Sequence, residues 1–539
     1  MPKTTKNAAT FVQRKTSAIY SKIDIWQNRA ARLLFMLMCC AVPLYFTQRG
    51  YLALPEAKWH FFLFCIILTV ILVAVIWIYR LTRNPRLLPH FDFNIVDWAI
   101  VGFAAITLIS TLLSPFSDQM SVWIGVDGPL GRFDGAITQL FYVATFFIIS
   151  RWYKPREKDF MWFGIASIII SLIGIFQFYG MDFFGLWPTH LREHARENLF
   201  DIFLRTTIGN TNTVSLFSTI ALLASGFLFV RTNRGSSESD KTTKHWYKHL
   251  WLASSALNFW MWVIADADSG TVGLAAAMLL CIPFIIESAK TLGRTLILVS
   301  TWVAVYALQT FLFEVVAIDI RAASSLLPFI AIFAIFLIAG LVLTQRGREL
   351  NPDSPPKWKL GVILIAVCII AGLIGVEIMG RPDADGVGSG IIYEAREILH
   401  GRIRDEFGTN RVYIWRHALS AVPDRLLIGH GPDTFFFAFP LEAQFYFGEA
   451  YDTAHNEYIQ YLVSQGVLGL AAYLLFVIGI VVLSVRKAFK DPIIMAVLAA
   501  FVAYLAQAFF NISHPIASQI LWVFAGILMS RRLRGEVPL

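Results

Sequence analysis

The chain of 539 residues is 57% hydrophobic and 15% charged, with a mean hydropathy of +0.61, whereas about 25% of an ordinary soluble domain is charged. This composition excludes a soluble globular enzyme and predicts an all-α, polytopic integral membrane protein. The net charge of +8 gives no case for a nucleic-acid partner, because much of the basic excess falls in short loops of the kind that set orientation beside anionic headgroups.

In chain order, residues 1–30 are basic and polar, with no short apolar core before a small-residue cleavage site, so no cleaved signal peptide is expected. Hydrocarbon about 30 Å thick takes roughly 20 apolar residues per helix, and about fourteen such segments follow. They lie near 31–48, 58–79, 95–114, 134–152, 160–179, 211–230, 249–266, 270–286, 293–313, 323–344, 360–379, 460–485, 493–510 and 515–531. Eleven transmembrane helices thus occupy 31–379, a long external segment 380–459, three more helices 460–531, and a short tail 532–539.

Lys and Arg collect in cytoplasmic loops. They recur in alternate connections: Arg80, Arg83 and Arg86; Arg151, Lys154, Arg156 and Lys158; Arg231, Arg234 and Lys241; Lys290 and Arg294; Arg346, Arg348, Lys357 and Lys359; Arg486, Lys487 and Lys490. Both termini are therefore expected in the cytoplasm. Cys39, Cys40, Cys65, Cys281 and Cys368 all fall inside expected spans, where they act as small apolar residues.

The external segments are 115–133, 180–210, 266–270, 511–515 and 380–459. In the longest, Ile391, Ile392, Ala395, Ile398, Leu399 and Ile403 recur at helical spacing, and Val412, Trp415, Ala418, Leu419 and Val422 do so again. Two amphipathic helices joined near Gly408-Thr409-Asn410 are expected, with Asn410 or Thr409 as the second N-cap. The glycines and prolines of 423–433 demand a sharply turned path, and Phe435, Phe436, Phe437 and Phe439 suit a headgroup boundary.

Several stretches resemble the signature of the O-antigen ligase/polymerase superfamily: Arg411-Val412-Tyr413-Ile414-Trp415, Ile428-Gly429-His430-Gly431, and Ala454-His455-Asn456-Glu457-Tyr458 through Ser464-Gln465-Gly466-Val467-Leu468-Gly469. Arg205-Thr206-Thr207-Ile208-Gly209-Asn210-Thr211-Asn212 is similar to the family's arginine plus Gly-Asn-x-Asn element, and Gly131-Arg132-Phe133-Asp134-Gly135 also fits. The resemblance implies a bacterial inner-membrane glycosyltransferase of the GT-C kind that acts outside the cytoplasm on undecaprenyl-diphosphate-linked glycans, with a glycan, lipid or protein acceptor. Two departures stand. The chain reads Asp266-Ala267-Asp268-Ser269 where many relatives carry Ser-Arg, and it has about two more spans than the commonest arrangement.

Transfer from a lipid diphosphate releases that diphosphate while an acceptor hydroxyl attacks the anomeric carbon, so charge develops on phosphate oxygens. Guanidinium forks suit those oxygens. The resemblance points to Arg411 and Arg205 as catalytic, with Arg132 substrate-binding, whereas Arg396, Arg402, Arg404 and Arg425 read better as interfacial arginines. His455 is the third catalytic candidate, either accepting the acceptor's proton or, if protonated, pairing with phosphate. Asn210, Asn212 and Asn456 can bind sugar or phosphate or simply cap helices, and Trp415 can stack on substrate or anchor at the interface. Asp266-Ala267-Asp268 and Asp383-Ala384-Asp385 read as turns or caps rather than metal ligands, so no metal or cofactor is expected. Polymerase and ligase share these motifs. A lipid-linked oligosaccharide flippase is the rival class, but it would place its polar groups at interrupted helices near the midplane.

Overall fold

The computed structural model describes residues 22–47, 53–83, 93–125, 132–187, 206–231, 241–316, 326–347, 357–382, 388, 390–448 and 450–530, and no strand occurs among them. In hydrocarbon no water is available to backbone N–H and C=O groups, so the chain satisfies them within helices. The segments α1 (22–44), α2 (Leu54–Arg83), α3 (Ile95–Leu112), α4 (Ala136–Trp152), α5 (Glu157–Phe178), α6 (Thr211–Arg231), α7 (Lys241–Ala265) and α8 (Asp268–Ile285) form the first part of the bundle. They are followed by α9 (Ala289–Val316), α10 (Leu327–Arg346) and α11 (Trp358–Met379). The external helices α12 (Ile391–Leu399) and α13 (Arg411–Ser420) come next, then α14 (Glu457–Ala488), α15 (Pro492–Gln507) and α16 (Ser518–Leu528).

Every apolar segment expected from the sequence falls on one of these helices. Among the described residues, nine are long and apolar enough to cross a membrane: α2, α3, α5, α6, α8, α9, α10, α11 and α14. The helices α4, α15 and α16 are apolar but shorter, and α1 and α7 begin with polar turns. Apolar on all sides, α6 forms the centre: its most apolar stretch is wholly buried, packed by α5, α7, α8, α9 and α15. Ser218 and Thr219 satisfy their hydroxyls within α6 by donating to the Ser215 carbonyl at 3.0 and 2.7 Å. At the periphery α10 lies along α9, while α11 leaves its apolar residues almost entirely uncovered.

The structure adds two interruptions that the hydropathy profile does not show. A π-helical turn, Leu37–Ala41, precedes Pro43 in α1. Just beyond it α1 ends at Leu44, and the carbonyls of its last turn are taken by buried Lys58, whose Nζ donates to Val42 O at 2.6 Å and Pro43 O at 2.8 Å. The second break lies in α14, where Gly466 adopts φ 69° and ψ −171°. Loop residues 426–431 fill it: His430 N–H donates to Val463 O (2.9 Å), Gly431 N–H to Ser464 O (2.8 Å) and Val467 N–H to Leu426 O (2.8 Å). Ser110 Oγ of α3 also donates to Ser464 O, at 2.7 Å.

The external segment is folded around its own core of Tyr413, Ile414, Ala418, Phe435, Phe439, Tyr451 and Val463, apart from the core of the bundle. Both expected helices are present as α12 and α13, but the expected cap is not. Asn410 stands at the N-cap position without a side-chain bond, because Gly408, Thr409 and Asn410 are all left-handed, with φ of 65°, 59° and 65°. The aromatic run also divides: Phe435 and Phe439 point into the loop core, while Phe436 and Phe437 remain exposed.

Replacement of Gly466 by alanine would put a Cβ within 2.4 Å of the Leu427 backbone in a left-handed conformation. Gly466→Ala is expected to lose about 3 kcal/mol of stability, read as a lowered unfolding midpoint in detergent. Gly372→Ala, where a Cβ meets nothing within 4 Å, should leave the midpoint near wild type.

Candidate functional site

His455 lies in the short connection between the external segment and α14. Three contacts fix its backbone. Its own N–H donates to Thr453 Oγ1 at 3.2 Å, Trp415 Nε1 donates to Ala454 O at 2.8 Å, and Ala454 N–H donates to Gln460 Oε1 at 3.1 Å. Asn456 then caps α14, its Oδ1 accepting from Tyr458 and Ile459 N–H at 3.0 and 3.1 Å. So held, His455 takes φ 47°, a left-handed conformation that a non-glycine residue keeps only when its surroundings impose it. Phe133, Thr206, Thr409 and Asn410, each beside a candidate arginine, are left-handed too.

Arg132, Arg411 and His455 share one electrostatic environment. Burial, with the positive charges of Arg132 and then Arg411, lowers the His455 pKa to about 3, so the imidazole is neutral at physiological pH. Burial also lowers the pKa of Arg411, opposed by Asp268 at the start of α8 and by Glu394 on α12. The Nη1 of Arg411 donates to Gly408 O at 2.7 Å. Arg132 Nη2 is paired with Asp452. The Nε atoms of both arginines are buried and meet no acceptor among the described residues, which leaves donor capacity that an anionic group can take up.

The other external arginines differ in this respect. Arg402 makes a two-point contact with Glu397, at 2.7 and 2.6 Å. Arg396 bridges Glu377 and Glu397 at 3.1 and 3.3 Å, Arg416 pairs with Asp405 at 2.8 Å, and Arg425 donates to Leu113 O at 2.6 Å. These contacts hold the external segment together and attach it to α3.

Trp415 lies one turn after Arg411 on α13, and its indole N–H is committed to Ala454. Asn210 is exposed and its Oδ1 accepts from Asn212 N–H at 2.8 Å, a helix-entry role. The Asn212 carbonyl accepts from Asn511 Nδ2 at 3.3 Å. Arg205 and the pair Asp383 and Asp385 lie outside the described residues. Among the described residues no group of three or more His, Cys, Asp or Glu could hold a metal ion.

Sequence reasoning placed 511–515 outside the membrane but gave no role to the connection 508–515, which ties the motifs together. Ala508 O accepts from Glu457 N–H at 2.8 Å, Asn511 reaches Asn212, and Ser513 Oγ donates to Asp134 Oδ1 at 3.2 Å, two residues from Arg132. It also missed Asp452, although that residue stands three before His455, and it gave no role to Glu457. The buried Glu457 carboxylate accepts from Tyr473 OH at 2.6 Å and Tyr504 OH at 2.9 Å, which fixes the mouth of α14 against α15.

Residues 315–474 match the family model described as O-antigen ligase, an interval that includes α13, His455 and the Gly466 break. No curated protein matches the chain.

The pH dependence of stability has a defined sign. His455 titrates at about 3 when folded and near 6.5 when unfolded, so the unfolded chain binds more protons between those values. Acidification from pH 6.5 therefore destabilises the wild type through this group, with no effect above that window. His455→Gln should unfold with a shallower dependence between pH 6.5 and 4.5 in thermal melts; identical slopes for the two proteins would show that His455 is not held neutral.

Proposed function

Since its residues 315–474 make this chain a member of the O-antigen ligase/polymerase superfamily, we propose that it transfers a glycan from undecaprenyl diphosphate to an acceptor hydroxyl at the outer face of the bacterial inner membrane. It would serve cell-surface polysaccharide synthesis. The observation that carries this reading is that His455 shares its buried surroundings with Arg132 and Arg411, whose buried Nε donors meet no acceptor among the described residues. Arg132 and Arg411 hold the donor diphosphate, joined by Arg205, to which the resemblance gives the same role.

The acceptor oxygen attacks the anomeric carbon as the bond from that carbon to the phosphate oxygen breaks, and the diphosphate leaves with the electron pair. The hydroxyl proton passes to His455. A bound diphosphate offsets the two guanidinium charges that lower the His455 pKa, so the imidazole becomes a stronger base when donor is present. Direct displacement inverts the anomeric carbon. Guanidinium groups supply the positive charge, so turnover should be unchanged by EDTA. Fourteen spans with both termini in the cytoplasm agree with the basic residues at the ends of the helices opposite His455.

A flippase reading would use the interruption in α14 as a substrate or ion site. That interruption is filled by backbone groups of 426–431, which favours chemistry at the helix mouth over passage through the bilayer.

The test is transfer by purified protein from a radiolabelled undecaprenyl-diphosphate oligosaccharide to candidate acceptors. Arg411→Ala and His455→Ala should each reduce turnover at least ~100-fold, with the protein still in the membrane fraction. Arg411→Ala should also lose donor binding, while His455→Ala keeps it. A single elongated product identifies a ligase and a ladder a polymerase. Normal turnover by either variant would refute the mechanism.

A further inference from the structure

At the end of the bundle opposite His455, two adjoining cavities share Arg29 and Arg32 on α1. The first, about 410 Å³, is lined by Asp24, Arg29, Arg32, Lys154 and Arg156, together with Ile25 and Asn28. The second, about 560 Å³, runs from those two arginines onto Leu33, Met36 and Trp162. Both fall in the size range of small-molecule sites, roughly 300–1,000 Å³.

The sequence of α1 builds this arrangement. Arg29, Arg32, Leu33 and Met36 recur at helical spacing and share one face. Met36 lies about 10 Å further along the axis than Arg29, so the face passes from cationic to apolar toward the interior of the bundle. The connection between α4 and α5 supplies the opposite wall, with Lys154 N–H donating to Asn28 Oδ1 at 2.8 Å. Trp162, 48% exposed on α5, completes the apolar part.

The charges are unequally committed. Buried Asp159 accepts from Arg32 Nε at 2.6 Å and pairs with Arg156 at 3.4 Å. Arg29 and Lys154 are exposed and have no side-chain ion partner among the described residues. With Asp24 and Asp159 facing four cations, the site retains an excess of positive charge directly above an apolar groove.

We propose that this is a binding site for an acidic phospholipid such as phosphatidylglycerol. The headgroup phosphate lies between Arg29 and Lys154, and one acyl chain lies along Leu33, Met36 and Trp162. A free anion would use the cationic cavity but gain nothing from the groove, and a zwitterionic lipid would use the groove with little help from the charge. Only an acidic lipid matches both. This site is separate from the proposed transfer chemistry, and its test does not depend on turnover.

The experiment is native mass spectrometry of the full-length protein in detergent, titrated with phosphatidylglycerol or phosphatidylcholine. Wild type should prefer phosphatidylglycerol. The double variant Arg29→Gln/Lys154→Gln should lose roughly 30-fold in phosphatidylglycerol affinity, at about 1 kcal/mol per basic residue. The charge-matched control Arg486→Gln/Lys490→Gln should stay within about twofold of wild type. Trp162→Ala, which changes no charge, should also weaken lipid binding. Equal binding of the two lipids, equal losses in the two double variants, or full competition by inorganic phosphate with Trp162→Ala unaffected would each overturn the proposal.

Discussion

Inside hydrocarbon an interrupted helix must find partners for the N–H and C=O groups it releases, and that requirement governs how this molecule is assembled around α14. The helix breaks at Gly466, and the backbone of 426–431 closes the break. A segment outside the membrane is thereby fastened into the bundle by main-chain bonds, which the glycines at 429 and 466 allow to form. The same fastening sets the position of α13, and therefore of Arg411, relative to the mouth of α14 where His455 stands.

Electrostatics then distinguishes a site from a scaffold among similar residues. The external arginines are chemically identical, yet Arg396, Arg402, Arg416 and Arg425 are engaged by carboxylates or carbonyls of the external segment, of α11 and of the end of α3. Arg132 and Arg411 keep buried donors without acceptors among the described residues, and burial together with their charges keeps His455 neutral. Strained φ angles at Phe133, Asn410 and His455 lie in the same segments.

Much of the fold was legible in the sequence, for physical reasons. Hydropathy reports the solvent of a segment, and the fourteen apolar stretches all became helices; the helical spacing from Ile391 to Ile403 and from Val412 to Val422 reported two external helices, found as α12 and α13, but not that their segment has its own core. What was illegible depends on single residues or distant partners. An averaging window cannot register one φ reversal at Gly466 or the π turn before Pro43. The pairing of Arg132 with Asp452 spans 320 residues, and the bond from Ser513 to Asp134 spans 379. The motif around His455 drew attention to that residue, but the tyrosines that hold Glu457 come from α14 and α15, where they read as ordinary core.

The complete enclosure of α6 bears on how the protein is made. Translation finishes α6 at Arg231, but α15, one of the helices that cover it, begins only at Pro492. At 5–20 residues per second, some 260 residues separate the two by roughly 13–50 s. During that interval α6 is surrounded by lipid or by insertion machinery on a side that protein later occupies. With apolar residues on every face and Ser218 and Thr219 bonded to their own helix, α6 can wait there, although Ser225 finds Ser254 only once α7 is made and Ser215 Oγ meets no partner among the described residues. The core of this bundle is thus a helix able to stand alone in the bilayer until the later helices displace its lipid.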